Sequence, residues 1–169
     1  SLLKKFQNET LDCLNISKHK RLSSEKFRHI KAKELIVTDH PVSVTGDFTG
    51  DIQNIPKWLT LWLKDNFLTQ KIITSKKTQK KIYIDRNDMT SNNSSQRFIT
   101  NENEVRGYLL KKGFIPVKLH DIKFTEQIGI FNNAECIVGL HGGGFGNIVF
   151  CKPGTKVIEL RSSNVGPVI

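Results

Sequence analysis

The stretch Ile137-Val138-Gly139-Leu140-His141-Gly142-Gly143-Gly144-Phe145-Gly146-Asn147 decides the fold of this chain. Its first residues continue the apolar run that starts at Cys136. A short apolar run closed by turn residues predicts a buried strand over 135–139. The glycines then lead into a short helix ending near Phe150. Lacking Cβ atoms, Gly142, Gly143 and Gly144 let backbone amides approach a ligand closely. A helix starting there directs free N–H groups and the positive end of its dipole outward, which favours a phosphate. A tight turn with positive φ would account for one glycine, and three in a row exceed that demand.

Working outward, strands and helices alternate. Residues 81–85 predict a strand, 88–97 a polar Ser/Asn/Gln loop, and 102–112 a helix capped by Asn101, with Glu102 and Glu104 in its first turn. Gly113 is placed to end that helix. Residues 114–119 predict the next strand and Thr125 the cap of a helix running to Asn133. Pro153-Gly154 turn the chain into a strand over 156–160. This β-α-β order with short connections predicts an α/β fold, a Rossmann-like, doubly wound, mostly parallel sheet covered on both faces. Its ligands bind beyond the carboxyl ends of the strands.

The amino-terminal third is different. Residues 1–33 are polar and basic, with spaced apolar positions that suit one or two amphipathic helices. Residues 34–38 predict a short strand and 39–56 a loop. Pro56 opens a helix whose stripe is Trp58, Leu59, Leu61, Trp62, Leu63 and Phe67. The expected organisation is a helical, connecting segment over 1–56 followed by a Rossmann-like domain over 57–169.

Several side chains are expected at the ligand edge. His141 stands at a strand end facing the glycines, ready to donate or accept a hydrogen bond. Glu159 ends the following strand, where an acid can accept two ribose hydroxyls. Arg86 follows the strand 81–85, and Arg97 lies across the polar loop. A guanidinium matches a pyrophosphate by bidentate contacts. Glu126 and Gln127 begin the helix before the glycine strand, suited either to capping or to ligand contact. Two other phosphate motifs fit poorly. Asn147 stands where a dinucleotide fingerprint has its third glycine, and the turn follows a late strand rather than a first one. No Gly-Lys-Ser/Thr follows, which excludes a P-loop.

The bulk numbers narrow the classes. The chain has 169 residues and a net charge of +10, with a sequence pI of about 9.6 and mean hydropathy of -0.34. An anionic partner or a merely solvated lysine surface both fit that charge. The dense run is Lys76-Lys77-Thr78-Gln79-Lys80-Lys81, without the interleaved aromatics of a nucleic-acid stripe. Cys13, Cys136 and Cys151 have no CxxC spacing, against a zinc site or disulfide framework and for a reducing compartment. Asn8-Glu9-Thr10 and Asn15-Ile16-Ser17 match the glycosylation sequon, a pattern common by chance. No run approaches the roughly 18 apolar residues of a membrane span, and no signal peptide is visible. The missing initiator Met suggests a processed chain or an excised fragment.

The ordered blocks Tyr83-Ile84-Asp85-Arg86, Arg97 to Val105, Gly113-Phe114, Glu126-Gln127, His141 to Asn147 and Val157-Ile158-Glu159-Leu160 resemble glycosyltransferase family 61, the group also called domain of unknown function 563. That family includes bacterial capsular-polysaccharide proteins, plant xylan-decorating enzymes and animal O-linked N-acetylglucosaminyltransferases. The resemblance covers residues 80–161 and extends loosely over 56–67. It implies an inverting transferase of the two-domain GT-B architecture, whose carboxyl-terminal half holds a nucleotide sugar. By that resemblance Arg86 and the glycine helix face the diphosphate, and Arg97 and Asn147 belong to the same nucleotide-sugar site. His141 faces the phosphate–sugar region, Glu159 the ribose, and Glu126 with Gln127 shapes the donor pocket; His141 and Glu126 are the expected catalytic residues. The chain departs from the family's usual pattern at Asp85, Gly143 and Phe145.

The implied partners are a nucleotide sugar and a glycan acceptor, with no metal or other cofactor and no nucleic acid. The implied place is the cytoplasm, with room for a peripheral position at the inner face of the membrane and a role in capsular or surface polysaccharide synthesis. Asp47 and Asp51 are candidates for the base, unless another domain supplies it. A nucleotide-binding module without activity and a basic nucleic-acid-binding domain are the competing expectations.

Overall fold

The computed structural model describes residues 3–39, 55–68, 79–86 and 99–161. These fall into two compact units, one within residues 1–66 and the other within 67–167.

In the first unit, helix α1 spans Lys5–Cys13 and a 3-10 turn follows at Lys18–Lys20. Asn15 takes a left-handed φ of 55° just after α1, the conformation in which Asn is tolerated at a helix end. Arg21 folds back on that end, its Nε donating to the Ile16 carbonyl at 2.9 Å and its Nη2 2.5 Å from Asp12 Oδ1. The strand expected over 34–38 does not form. Leu35, Ile36 and Val37 lie in irregular chain and are 70%, 84% and 78% exposed. An apolar run becomes a strand only by pairing its backbone groups with another strand, and the described part of this unit contains none. Helix α2, Lys57–Phe67, begins directly after Pro56 as expected. Asp47 and Asp51 lie outside the described residues.

The second unit is the α/β fold. Strands β1 Lys81–Ile84, β2 Ile115–Val117, β3 Cys136–Leu140 and β4 Lys156–Leu160 form one sheet in the order β2-β1-β3-β4. All three pairings are parallel, with Ile82 opposite both Ile115 and Ile137, and Val138 opposite Ile158. The interior strands β1 and β3 are apolar on both faces, as strands covered by helices must be. Pro116 sits in β2, an outer strand of this sheet, where its missing N–H does least harm.

Helix α3, Glu102–Lys111, connects β1 to β2, and helix α4, Phe124–Asn133, connects β2 to β3. On one face Tyr83 and Val138 pack with Leu109 and Phe114. The alternate residues Ile82, Ile84 and Ile137 point to the other face, and with Ile128 and Phe131 they are buried. An aromatic cluster closes that layer. Phe67 meets Phe124 and Phe150 edge-on, with ring centroids 5.5 and 6.1 Å away.

Local signals mostly hold here. Gly113 has φ +80°, and the bonds from Gly113 N to Leu110 O and from Phe114 N to Leu109 O, each 3.0 Å, make the Schellman closure of α3. Two caps differ from expectation. Asn101 occupies the cap position of α3, but its side chain donates to Glu104 Oε2 at 3.1 Å rather than accepting from a backbone amide. Helix α4 starts at Phe124 with Lys123 as its N-cap, not at Thr125. Burial of the Phe124 ring against Phe67 and Phe150 draws that residue into the first turn.

Candidate functional site

In the order β2-β1-β3-β4 the chain leaves β1 toward one side and crosses back to β3 on the other. The crevice between the carboxyl ends of β1 and β3 is therefore the topological switch point, where open α/β sheets bind ligands. Asp85 and Arg86 leave β1 there, and His141 and Gly142 leave β3.

Arg86 reaches across this crevice. Its Nη1 donates to the His141 carbonyl at 3.2 Å. At Gly142 the backbone has φ +157° and ψ -176°, a conformation populated essentially by glycine. A Cβ there would stand 2.6 Å from Arg86 Nη1. The guanidinium thus lies against the turn itself, with four of its five N–H donors not spent on the His141 carbonyl.

The three glycines have separate physical reasons. Gly142 serves conformation and the close approach of Arg86. Gly144 serves packing, since a Cβ there would meet Leu119 Cδ1 at 3.0 Å and Ile84 Cγ2 at 3.3 Å. Gly143 alone opens on free space, with nothing within 4 Å of its Cβ position. The segment after them, Gly143–Phe150, is a 3-10 helix. It starts with Phe145 N donating to Gly142 O at 3.0 Å.

His141 and Glu159 face one another. His141 Nδ1 lies 2.5 Å from Glu159 Oε1, with side chains 28% and 31% exposed. Arg161 Nε stands 3.8 Å from the other carboxylate oxygen. The structure thus brings Glu159, the residue the resemblance assigns to the ribose, beside the imidazole of the glycine turn.

Gln127 and Asn147 are drawn inward. Gln127 Nε2 donates to Leu119 O at 2.7 Å, and Asn147 Nδ2 donates to Gln127 Oε1 at 3.0 Å. The pair ties the chain entering α4 to the glycine helix and holds the turn against the sheet. Glu126 sits half-buried in the first turn of α4. Arg97 lies outside the described residues.

Sequence reasoning missed a second layer behind the crevice. Asp85 is buried with its carboxylate 3.4 Å from Arg106 Nε, and the Tyr83 hydroxyl donates to Glu102. Arg106 lies on α3, far from Asp85 in sequence, so only the packing of α3 on β1 reveals the pair. Burial, then the hydrogen bond and charge of Glu102, push the Tyr83 phenol well above its usual value. A mainly apolar groove of about 620 Å³, lined by residues including Val105, Tyr108, Phe114, Val138 and Ile158, lies on the α3 face. It contains no residue of the glycine turn.

The fold is an α/β domain with a crevice at its switch point, the place where open α/β sheets bind ligands. The sequence model of glycosyltransferase 61 matches residues 3–158. The chain belongs to that family, and it is a glycosyltransferase, working in general on a nucleotide-sugar donor and a glycan acceptor. No curated protein and no solved structure matches it. Among the described residues no helix is long and apolar enough to cross a membrane.

Proposed function

We propose that the crevice between β1 and β3 binds the diphosphate of a nucleotide sugar, and that this domain is the donor-binding half of an inverting transferase of GT-B type. The observation that carries this is the contact of Arg86 with His141 O over Gly142. It sets a guanidinium and the open backbone of Gly143 on one edge, two groups that bind phosphate oxygens well. Arg86 and the turn's amides then neutralise the departing nucleoside diphosphate with no call for a metal. His141 stands beside them as the group nearest the reacting centre, with Glu126 and Arg97 as further contacts to the donor. A single displacement at the anomeric carbon inverts its configuration. The acceptor is a glycan, and a capsular or surface polysaccharide made at the inner face of the membrane fits the family resemblance.

The test is thermal. Uridine, guanosine, cytidine and thymidine diphosphates are added in turn to the chain and to Arg86→Ala. One of them is expected to raise the melting temperature of the first and leave the second unmoved. No shift with any of the four would end the proposal. A shift without sugar transfer would mark a binding module.

A further inference from the structure

The pairing of β3 with β4 brings together two side chains that lie 18 positions apart. Gly139 is opposite Glu159, and the His141 amide donates to Leu160 O at 2.9 Å. The ladder thus continues one residue past β3. Because side chains alternate along a strand, Glu159 and His141 project from the same face. Their contact at 2.5 Å is between Nδ1 and Oε1. A carboxylate only accepts, so the proton of that bond sits on Nδ1, and in the neutral form of the ring the lone pair lies on Nε2. Arg161, two residues beyond Glu159 on the same face, holds its Nε 3.8 Å from the second oxygen. Each carboxylate oxygen thus has a protein group within 4 Å, on a side chain that is 31% exposed.

We propose that Glu159 is a positioning residue. It locks His141 in the Nδ1–H tautomer, so that Nε2 accepts the proton of the acceptor hydroxyl. This rests on the donor-site reading given above. A neutral Nε2 has no proton to donate to a phosphate oxygen, so the diphosphate is left to Arg86 and the turn's amides. In the transfer step the acceptor oxygen forms its bond to the anomeric carbon while its proton passes to Nε2. The bond from that carbon to the diphosphate oxygen breaks, and its electron pair leaves on the diphosphate. Glu159 then faces the imidazolium that results, the arrangement by which a carboxylate supports a histidine base.

The experiment is a two-bond proton–nitrogen correlation spectrum of the full chain labelled at histidine with nitrogen-15. His141 is assigned by the signals lost in His141→Ala. The expected pattern is protonated Nδ1 and unprotonated Nε2 in the unaltered chain. It should shift toward the Nε2–H form in Glu159→Ala, which removes the acceptor, and stay Nδ1–H in Glu159→Gln, whose amide oxygen still accepts. An Nε2–H pattern in the unaltered chain would overturn the proposal. So would an unchanged pattern in folded Glu159→Ala. Calorimetric titration with the nucleoside diphosphate that stabilises the chain separates this role from ribose binding. A positioning Glu159 leaves the Kd of Glu159→Ala near that of the unaltered chain. Loss of a charge-assisted ribose bond would weaken it by about tenfold or more, and that result would also overturn the proposal. If no nucleoside diphosphate binds at all, the donor-site reading falls, and the spectrum alone still decides the tautomer.

Discussion

Arg86 and Gly142 are fitted to one another: the guanidinium Nη1 occupies the space, 2.6 Å away, that any side chain at position 142 would need. The backbone at Gly142 is itself one that other residues avoid, with φ +157°. Two independent penalties therefore meet at one position. Gly142→Ala is expected to lose about 1–3 kcal/mol from strain and to displace Arg86, abolishing nucleoside diphosphate binding. Gly143→Ala adds its methyl group to open space, so its stability should change by no more than about 0.5 kcal/mol, while its binding weakens. Denaturant melts and calorimetric titrations on the two variants check both halves. Equal behaviour of the two would contradict the division of labour among the glycines.

Arg86→Lys keeps the positive charge and loses the planar fork. A lysine cannot donate to the His141 carbonyl and to a phosphate with the fixed geometry of a guanidinium. Binding should fall by about tenfold, the worth of one charge-assisted hydrogen bond, with the melting temperature of the free chain little changed. Full retention of affinity in Arg86→Lys would mean that Arg86 acts as a point charge only.

The ring cluster of Phe67, Phe124 and Phe150 gives a stability prediction. Phe150 is 3% exposed and meets both partners edge-on with centroids 6.1 Å away. Phe150→Ala should cost about 3–5 kcal/mol, read as a lowered denaturant midpoint. Phe150→Leu, which leaves a smaller cavity, should lose less.

Tyr83 makes stability depend on alkaline pH. Burial first, then the hydrogen bond and charge of Glu102, raise its phenol above the ordinary value of 10.0. The unfolded chain releases that proton near pH 10 while the folded chain keeps it. The unfolded state then binds fewer protons, and stability falls as pH climbs above about 10. Tyr83→Phe removes the proton and should flatten that fall. The same variant should lose about 1 kcal/mol at neutral pH with the bond to Glu102. Melts from pH 7 to 11 on both chains provide the measurement, and parallel curves would refute it.

Much of the fold was legible because its signals are local. Apolar runs of strand length, a glycine closing α3 at Gly113 and a proline opening α2 act within a few residues, and the structure follows each. The strand expected over 34–38 carried an equally good apolar run and failed, since a strand exists only in its partner. Caps at Asn101 and Thr125 went the same way for a related reason. A side chain takes its best available partner, and Glu104 and the phenylalanine cluster were better ones.

At the site, residue types were readable and partnerships were not. By itself the sequence determined that glycines, a histidine and an arginine would gather at the carboxyl ends of parallel strands. Alternation of strand and helix dictates that edge, and backbone without Cβ atoms dictates the turn. Only the tertiary structure decided what each residue does there. The register of β3 on β4 turned Glu159 toward His141, the packing of the turn on Ile84 claimed Gly144, and the 3-10 helix turned Asn147 to Gln127. Those outcomes depend on distances between strands that no spacing along the chain encodes.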